Sequence, residues 1–148
     1  NLSKSFCEDE ASIIKNVSMA DNLPDLDSTH RVNEFFCRDN NWKLVLKELV
    51  KHSDVVLMDL RRFTKQFSGC QYEIKALVNL FSLEKIIFII DKHTDIEFTK
   101  EIFREAFREA DTNSVNHTKD PMVNLYRTDS KNDNDVFKIL NLLCLKVE

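Results

Sequence analysis

Residues Lys85–Asp91 read KIIFIID, and this stretch decides the fold class. An unbroken apolar, β-prone run between charged residues is typical of a strand that is covered on both faces, as in a parallel sheet. VVLMDL at Val55–Leu60 has the same character. The segment between the two runs carries apolar residues at helical spacing, which predicts an amphipathic crossover helix. A strand, a helix and a second buried strand in this order indicate parallel pairing within an α/β fold.

The same alternation extends outward from these strands. Further strands are predicted at residues 32–37 and 122–126, and helical periodicity follows each predicted strand. We therefore predict an α/β fold with one doubly wound parallel sheet and helices on both faces. Residues 1–30 form a partly irregular N-terminal segment in this interpretation, and residues 31–148 form the α/β region of a single domain overall.

Two helix starts carry the capping-box pattern, in which a Ser or Thr side chain and a Glu or Gln three residues later satisfy each other's backbone amides. Ser68 with Gln71 predicts the start of the helix between the two buried strands. Thr94 with Glu97 predicts the start of the next helix.

Charge and hydropathy exclude several classes of function. The 21 Lys and Arg residues against 25 Asp and Glu give a net charge of -4, without the basic cluster that nucleic-acid binding requires. The longest strongly apolar run, Ile86–Ile90, is too short to cross a bilayer, so we expect no membrane contact within this chain. The chain begins at Asn1 without a secretory signal. We interpret it as a cytoplasmic part of a longer protein, which can be membrane-anchored elsewhere.

The cysteines, the histidines and the single glycine exclude further kinds of site. The four cysteines form no CxxC pair, which indicates a reducing compartment and not a disulfide framework. The four histidines have no metal-ligand spacing, so we predict no metal, and we predict no cofactor. Gly69 is the single glycine, which excludes both the Walker A loop and the GxGxxG fingerprint. We expect Asn to occupy turn positions of positive φ instead.

Candidate binding residues follow from the architecture. In an open parallel sheet, ligands bind beyond the carboxyl ends of the strands. This rule selects Arg38 and Asp39 after the first clear strand, Asp59 and Arg61 after the second, and Asp91 after the third. His93 lies at the same predicted edge.

The start of the helix at Ser68 and Gly69 is a further candidate, because free amides and the positive end of the helix dipole attract anions. Each candidate also has a structural alternative. Asp59 and Asp91 are placed where carboxylates commonly cap the following loop. Arg61 is as well placed for an ion pair at the rim as for a phosphate.

The central motifs resemble those of a TIR (Toll/interleukin-1 receptor) domain. The resemblance is carried by Cys37-Arg38-Asp39, by VVLMDL at Val55–Leu60 and by SGCQYEI at Ser68–Ile74, in which Ser68, Cys70 and Glu73 match the family's Ser, Cys and Glu. MDLRRF, GCQYEI and IIFIIDKHTD are also similar to cytosolic segments of bacterial proteins, some of them membrane-anchored. The likeness extends over about residues 31–127.

The resemblance implies a flavodoxin-like parallel sheet and a self-associating signalling module, whose partner is itself or another protein domain. Some members of the family cleave NAD with the helix glutamate, which corresponds to Glu73. The alternatives are therefore an NAD-cleaving enzyme with Glu73 as its catalytic residue, or a non-catalytic sensor that binds a nucleotide at the same edge of the sheet.

Overall fold

A computed structural model describes residues 2–20, 32–38, 41–117, 122–129 and 133–147. The chain divides into two compact units, Asn1–His52 and Ser53–Glu148, each of which is described by itself. Residues 21–31, where the predicted N-terminal segment ends, lie outside the described residues. The single domain overall stays a prediction.

The first unit is two strand–helix repeats. Its elements are β1 (Leu2–Cys7), α1 (Glu10–Ser18), β2 (Val32–Cys37) and α2 (Trp42–Lys51). β1 and β2 pair in parallel, from Leu2 opposite Val32 to Cys7 opposite Cys37. The helices supply Ile13, Val17 and Val45 to a small core beneath the two strands.

The first unit differs from the sequence prediction at its start. Residues 2–18 are a regular strand and helix, where the sequence predicts only a partly irregular segment. The strand LSKSFC mixes polar and apolar residues, and Phe6 within it is 69% exposed. The apolar run that identifies a doubly covered strand is therefore absent from it.

The second unit contains three strands and three α-helices among its described residues. They are β3 (Val56–Asp59), α3 (Ser68–Leu80), β4 (Ile86–Ile90), α4 (Ile96–Glu109), β5 (Leu125–Arg127) and α5 (Asp133–Val147), with a 3-10 turn at Leu83–Lys85 before β4. The strands are parallel in the order β3-β4-β5. All five residues of β4 are buried, as the sequence predicts for its apolar run.

The fold is α/β with parallel sheets, which confirms the predicted class. Among the described strands there are two sheets, of two and three strands, where one sheet is predicted. The strand order within each sheet, β1-β2 and β3-β4-β5, is by itself compatible with the flavodoxin-like order 2-1-3-4-5. The last strand also begins and ends later than predicted, at Leu125–Arg127 instead of residues 122–126.

Both predicted capping boxes are wrong. The N-cap of α3 is Phe67, without a side-chain cap, and Ser68 already lies inside the helix. The N-cap of α4 is Asp95, whose carboxylate accepts the amide hydrogen of Phe98 at 3.0 Å. Thr94 forms hydrogen bonds to the neighbouring loop instead, as described below.

The core of the second unit surrounds β4. Phe88 packs edge-to-face against Phe103 of α4, with ring centroids 5.0 Å apart. α3 covers the same strand region with further buried aliphatic residues, namely Ile74, Leu77 and Val78. α5 leaves Val136 and Leu140 exposed. No helix in the described part of the chain has the length and apolar character to span a membrane.

Candidate functional site

A cavity of about 530 Å³ lies at the carboxyl edge of the β3-β4-β5 sheet, and we call it the edge cavity. Its walls come from the loops that follow the three strands. They are formed by Asp59, Arg61, Arg62, Asp91, Lys92, His93, Thr128 and Asp129. The rule for open parallel sheets predicts Asp59, Arg61, Asp91 and His93 at one edge, and all four line this cavity.

Asp91 joins two walls of the edge cavity. Its Oδ1 accepts the backbone N–H groups of Arg62 and His93, each at 3.0 Å, and lies 3.0 Å from the Thr94 hydroxyl. Burial acts to raise the pKa of Asp91, but the hydrogen bonds from Arg62, Thr94 and His93 outweigh it and hold the pKa below its ordinary value. The carboxylate therefore stays ionised and fixes the loop after β3 to the loop after β4.

Thr94 also joins the loop after β3 to the loop after β4. Its buried hydroxyl accepts the Asp91 N–H at 3.0 Å and lies 3.0 Å from the carbonyl oxygen of Leu60. The N–H of Asp95 donates to the carbonyl of Phe63 at 2.9 Å. Side-chain and backbone bonds thus hold the two loops together, so the rim of the cavity is preorganised.

Arg62 has an uncommon backbone conformation, with φ of 62°. It lies in a tight turn that is closed by a 3.0 Å hydrogen bond from the Phe63 N–H to the Leu60 carbonyl. The left-handed region costs a residue with a Cβ about 1–2 kcal/mol, and such strain concentrates at functional sites. Among the described residues only Arg62 has positive φ, so the expectation that Asn fills such positions is wrong there.

Arg61 is bound to Asp59 at the rim of the cavity. Its Nε lies 2.9 and 3.0 Å from the two carboxylate oxygens, and its backbone N–H donates to Oδ1 at 3.0 Å. The Arg61 guanidinium holds the pKa of Asp59 below its usual range. Of the two roles that the sequence leaves open for Arg61, the structure shows the ion pair.

The third wall follows β5 and was not predicted from the sequence. Asp129 accepts the Lys92 N–H at 2.8 Å and the Arg127 Nε at 3.1 Å. Thr128 is buried and hydrogen-bonds through its hydroxyl to Asp135 at 3.0 Å. The last strand is predicted to end at residue 126, one residue early. Thr128 and Asp129 were therefore not selected as residues at the carboxyl end of a strand.

Other predicted site residues lie outside the edge cavity. Arg38 belongs to the first unit, where it lines a separate cavity of about 240 Å³ with Cys7 and Cys37. Asp39 lies outside the described residues. Ser68 and Gly69 begin α3 and do not line the edge cavity. A Cβ added to Gly69 would meet no atom within 4 Å, so neither packing nor φ requires glycine there.

Glu73 is a half-buried carboxylate on α3. It makes no hydrogen bond or ion pair with any other residue that the structure describes, and burial raises its pKa. Burial also raises the pKa of the Cys70 thiol, and the negative charges of Glu73 and Asp59 raise it further. Glu73 does not line the edge cavity.

Glu73→Gln is expected to increase the free energy of unfolding at about pH 7 and to leave it unchanged at about pH 4. The folded state holds the Glu73 proton more tightly than the unfolded state. Stability in the wild type therefore falls as the pH rises from the unfolded pKa of about 4.3 through the higher folded pKa. Glutamine removes this loss. Urea denaturation at both pH values measures it, with Glu101→Gln on the exposed side of α4 as the control. An equal gain in both variants would contradict the burial of the Glu73 charge.

Comparison with protein-family models, curated proteins and solved structures finds no match for the chain. Within the described ranges, no group of three or more His, Cys, Asp or Glu side chains is arranged to hold a metal ion.

Proposed function

We propose that this chain is a TIR-like signalling module whose input is a nucleotide bound through its phosphates in the edge cavity. One observation carries the proposal. Two cationic side chains, Arg62 and Lys92, line the cavity without a hydrogen bond or ion pair to any other described residue.

The charges of the cavity are arranged for a polar anion. Asp59, Asp91 and Asp129 each accept a backbone N–H from the loops of the cavity, and these bonds orient the carboxylates toward the backbone. The donors are Arg61, Arg62 and Lys92, respectively. The side chains of Arg62 and Lys92 have no such restraint from other described residues, and both line the cavity in which we propose that the phosphates bind. Charge-assisted contacts of this kind are stronger than neutral hydrogen bonds, and arginine can form two at once.

Size also favours a nucleotide over a single inorganic anion. Cavities that bind small molecules commonly measure about 300–1,000 Å³, and the edge cavity lies within that range at about 530 Å³. The bound phosphates would leave room for a ribose, whose hydroxyls can donate to a carboxylate at the rim. Asp59 and Asp129 are exposed and so remain accessible to such donors.

The signalling part of the proposal rests on the resemblance of the central motifs to TIR domains. Cys70 and Glu73, which carry that resemblance, lie one turn apart on α3, directly after the loop that forms one wall of the edge cavity. In this proposal, nucleotide occupancy is passed to a second copy of the module or to another protein domain.

Lys92→Ala is expected to weaken ADP binding about tenfold, because one charge-assisted hydrogen bond is worth about 1.5 kcal/mol or more. Isothermal titration calorimetry of the full chain with ADP, and separately with inorganic phosphate, measures the affinity. Arg108→Ala removes the same charge from an exposed position on α4, outside the cavity, and should bind ADP like the wild type. Equal affinities for all three proteins, or no binding by the wild type, would overturn the proposed input.

The NAD-cleaving enzyme is a second candidate. It is favoured by Glu73, which is half-buried and has no hydrogen bond or ion pair to another described residue. A preorganised carboxylate can stabilise positive charge that develops on a ribose, and its loss typically costs 100-fold or more in rate. The measurement is nicotinamide release from NAD at high protein concentration. The sensor proposal expects no release. Release by the wild type that disappears in Glu73→Gln would favour the enzyme instead.

A further inference from the structure

Two cysteines that are distant in sequence lie side by side in the first unit. Cys7 ends β1, Cys37 ends β2, and the parallel register pairs them directly. Side chains of paired residues in neighbouring strands point to the same face of the sheet, since side-chain direction alternates along both strands. Phe6 and Phe36, the preceding pair in this register, are also in contact, with stacked rings whose centroids are 5.6 Å apart.

Cys7 and Cys37 differ in their access to solvent. Cys7 is 1% exposed and belongs to the core beneath β1 and β2, whereas Cys37 is half-buried at the edge of that core. Both are free thiols, and both line the cavity of about 240 Å³ that opens beside Arg38. Burial raises the pKa of the Cys37 thiol, and neighbouring Cys7 raises it further, consistent with two sulfurs in close proximity.

We propose that Cys7 and Cys37 are a redox-active dithiol that closes to a disulfide by exchange with a low-molecular-weight disulfide such as glutathione disulfide. Neighbouring strands lie about 4.8 Å apart, and disulfides join cysteines whose Cα atoms are about 4.4–6.8 Å apart. The register therefore brings the pair within bonding range with little movement of the backbone.

The exchange takes place in two balanced steps. The more accessible Cys37 thiolate attacks one sulfur of glutathione disulfide, which forms a mixed disulfide and releases one glutathione thiolate. Cys7 then loses its proton and attacks the Cys37 sulfur, which forms the Cys7–Cys37 bond and releases the second glutathione. The two departing thiolates take up the two protons. The protein thiols lose two electrons, and the glutathione disulfide gains them.

The charged residues that line this cavity are Glu8 and Arg38, both exposed and of opposite sign, so charge gives glutathione disulfide no net attraction to it. The raised pKa of Cys37 keeps the thiolate fraction small at neutral pH. The exchange rate should therefore still rise with pH above the ordinary thiol pKa of about 8.5.

The test uses the full chain, oxidised with glutathione disulfide at mildly alkaline pH, acid-quenched and analysed by peptide mapping with mass spectrometry. The Cys37–Cys70 pair is the reference. Cys7 and Cys37 are 30 residues apart and Cys37 and Cys70 are 33 residues apart, so closing either loop in the unfolded chain costs nearly the same entropy. In the folded protein we expect at least a tenfold excess of the Cys7–Cys37 link, on the order expected when reacting groups are held together. In concentrated guanidinium chloride the excess should fall to about twofold or less.

Single variants separate the two steps. Cys7→Ala should stop the reaction at a stable mixed disulfide between Cys37 and glutathione, and Cys144→Ser should leave the Cys7–Cys37 link intact. The proposal is wrong if the folded wild type yields only glutathione adducts, or shows no preference for Cys7–Cys37 over Cys37–Cys70. Should Cys7→Ala fail to fold, the comparison of folded and unfolded wild type decides alone.

Discussion

Phe88→Ala is expected to lower the free energy of unfolding by about 3–5 kcal/mol, the usual cost of removing a buried aromatic ring. Phe88 is 0% exposed and lies in the central strand of the β3-β4-β5 sheet, between Met58 and Leu125. Its ring packs edge-to-face against Phe103, so alanine removes a specific aromatic contact as well as apolar area. Since β-strands on both sides hold the backbone, the cavity left behind cannot collapse easily.

Equilibrium denaturation in urea, followed by circular dichroism, measures this loss. Phe137→Ala is the matched control, because Phe137 is 65% exposed on α5 and its truncation should cost less than about 1 kcal/mol. Similar losses in the two variants would mean that β4 is not the centre of the core. A change in the denaturant slope would show instead that Phe88→Ala alters the compactness of one of the two states.

The strands differ in how clearly the sequence reveals them, and burial explains the difference. β4 is buried at every position, so its residues can all be apolar and the run KIIFIID is unmistakable. β1 leaves Phe6 exposed and carries Lys4 and two serines, so its strand character is hidden. β5 is three residues long, and its position depends on pairing with β4, which no local pattern encodes.

The candidate site was predictable where it follows those clear strands. Asp59 and Asp91 come directly after β3 and β4, and the edge rule places them together before any side-chain contact is known. Thr94 was misinterpreted as a helix cap because its spacing to Glu97 fits a capping box. The carbonyl of Leu60, 34 residues away, competes for its hydroxyl, and only the fold brings the two groups together.

The pairing of Cys7 with Cys37 is likewise a contact that local sequence patterns do not reveal. Spacing motifs detect pairs that a short loop brings together, such as CxxC, but Cys7 and Cys37 meet through strand register. A shift of one residue in that register would place their side chains on opposite faces. The absence of a CxxC pair therefore says nothing about this adjacency, which follows from the pairing of β1 with β2.

Arg62→Gly is expected to weaken ADP binding about 10- to 100-fold while raising the free energy of unfolding by about 1 kcal/mol. The loss of affinity follows from removing a guanidinium that can contact a phosphate through two hydrogen bonds. The gain in stability follows because glycine adopts the φ of 62° without steric cost, which outweighs its greater freedom in the unfolded chain. Calorimetry with ADP and urea denaturation measure the two effects.

Two further substitutions separate charge from backbone strain at this position. Arg62→Lys keeps the positive charge and the strain, so it should retain wild-type stability and lose less affinity than Arg62→Gly. Arg62→Asn removes the charge but tolerates the left-handed region, so it should lose as much affinity as Arg62→Gly with a smaller gain in stability. Weaker binding with no gain in stability in either Arg62→Gly or Arg62→Asn would show that the turn is not strained. A gain in stability with unchanged ADP affinity in Arg62→Gly would show that the Arg62 guanidinium does not contact the phosphate. The strain at Arg62 would then have no role in ADP binding.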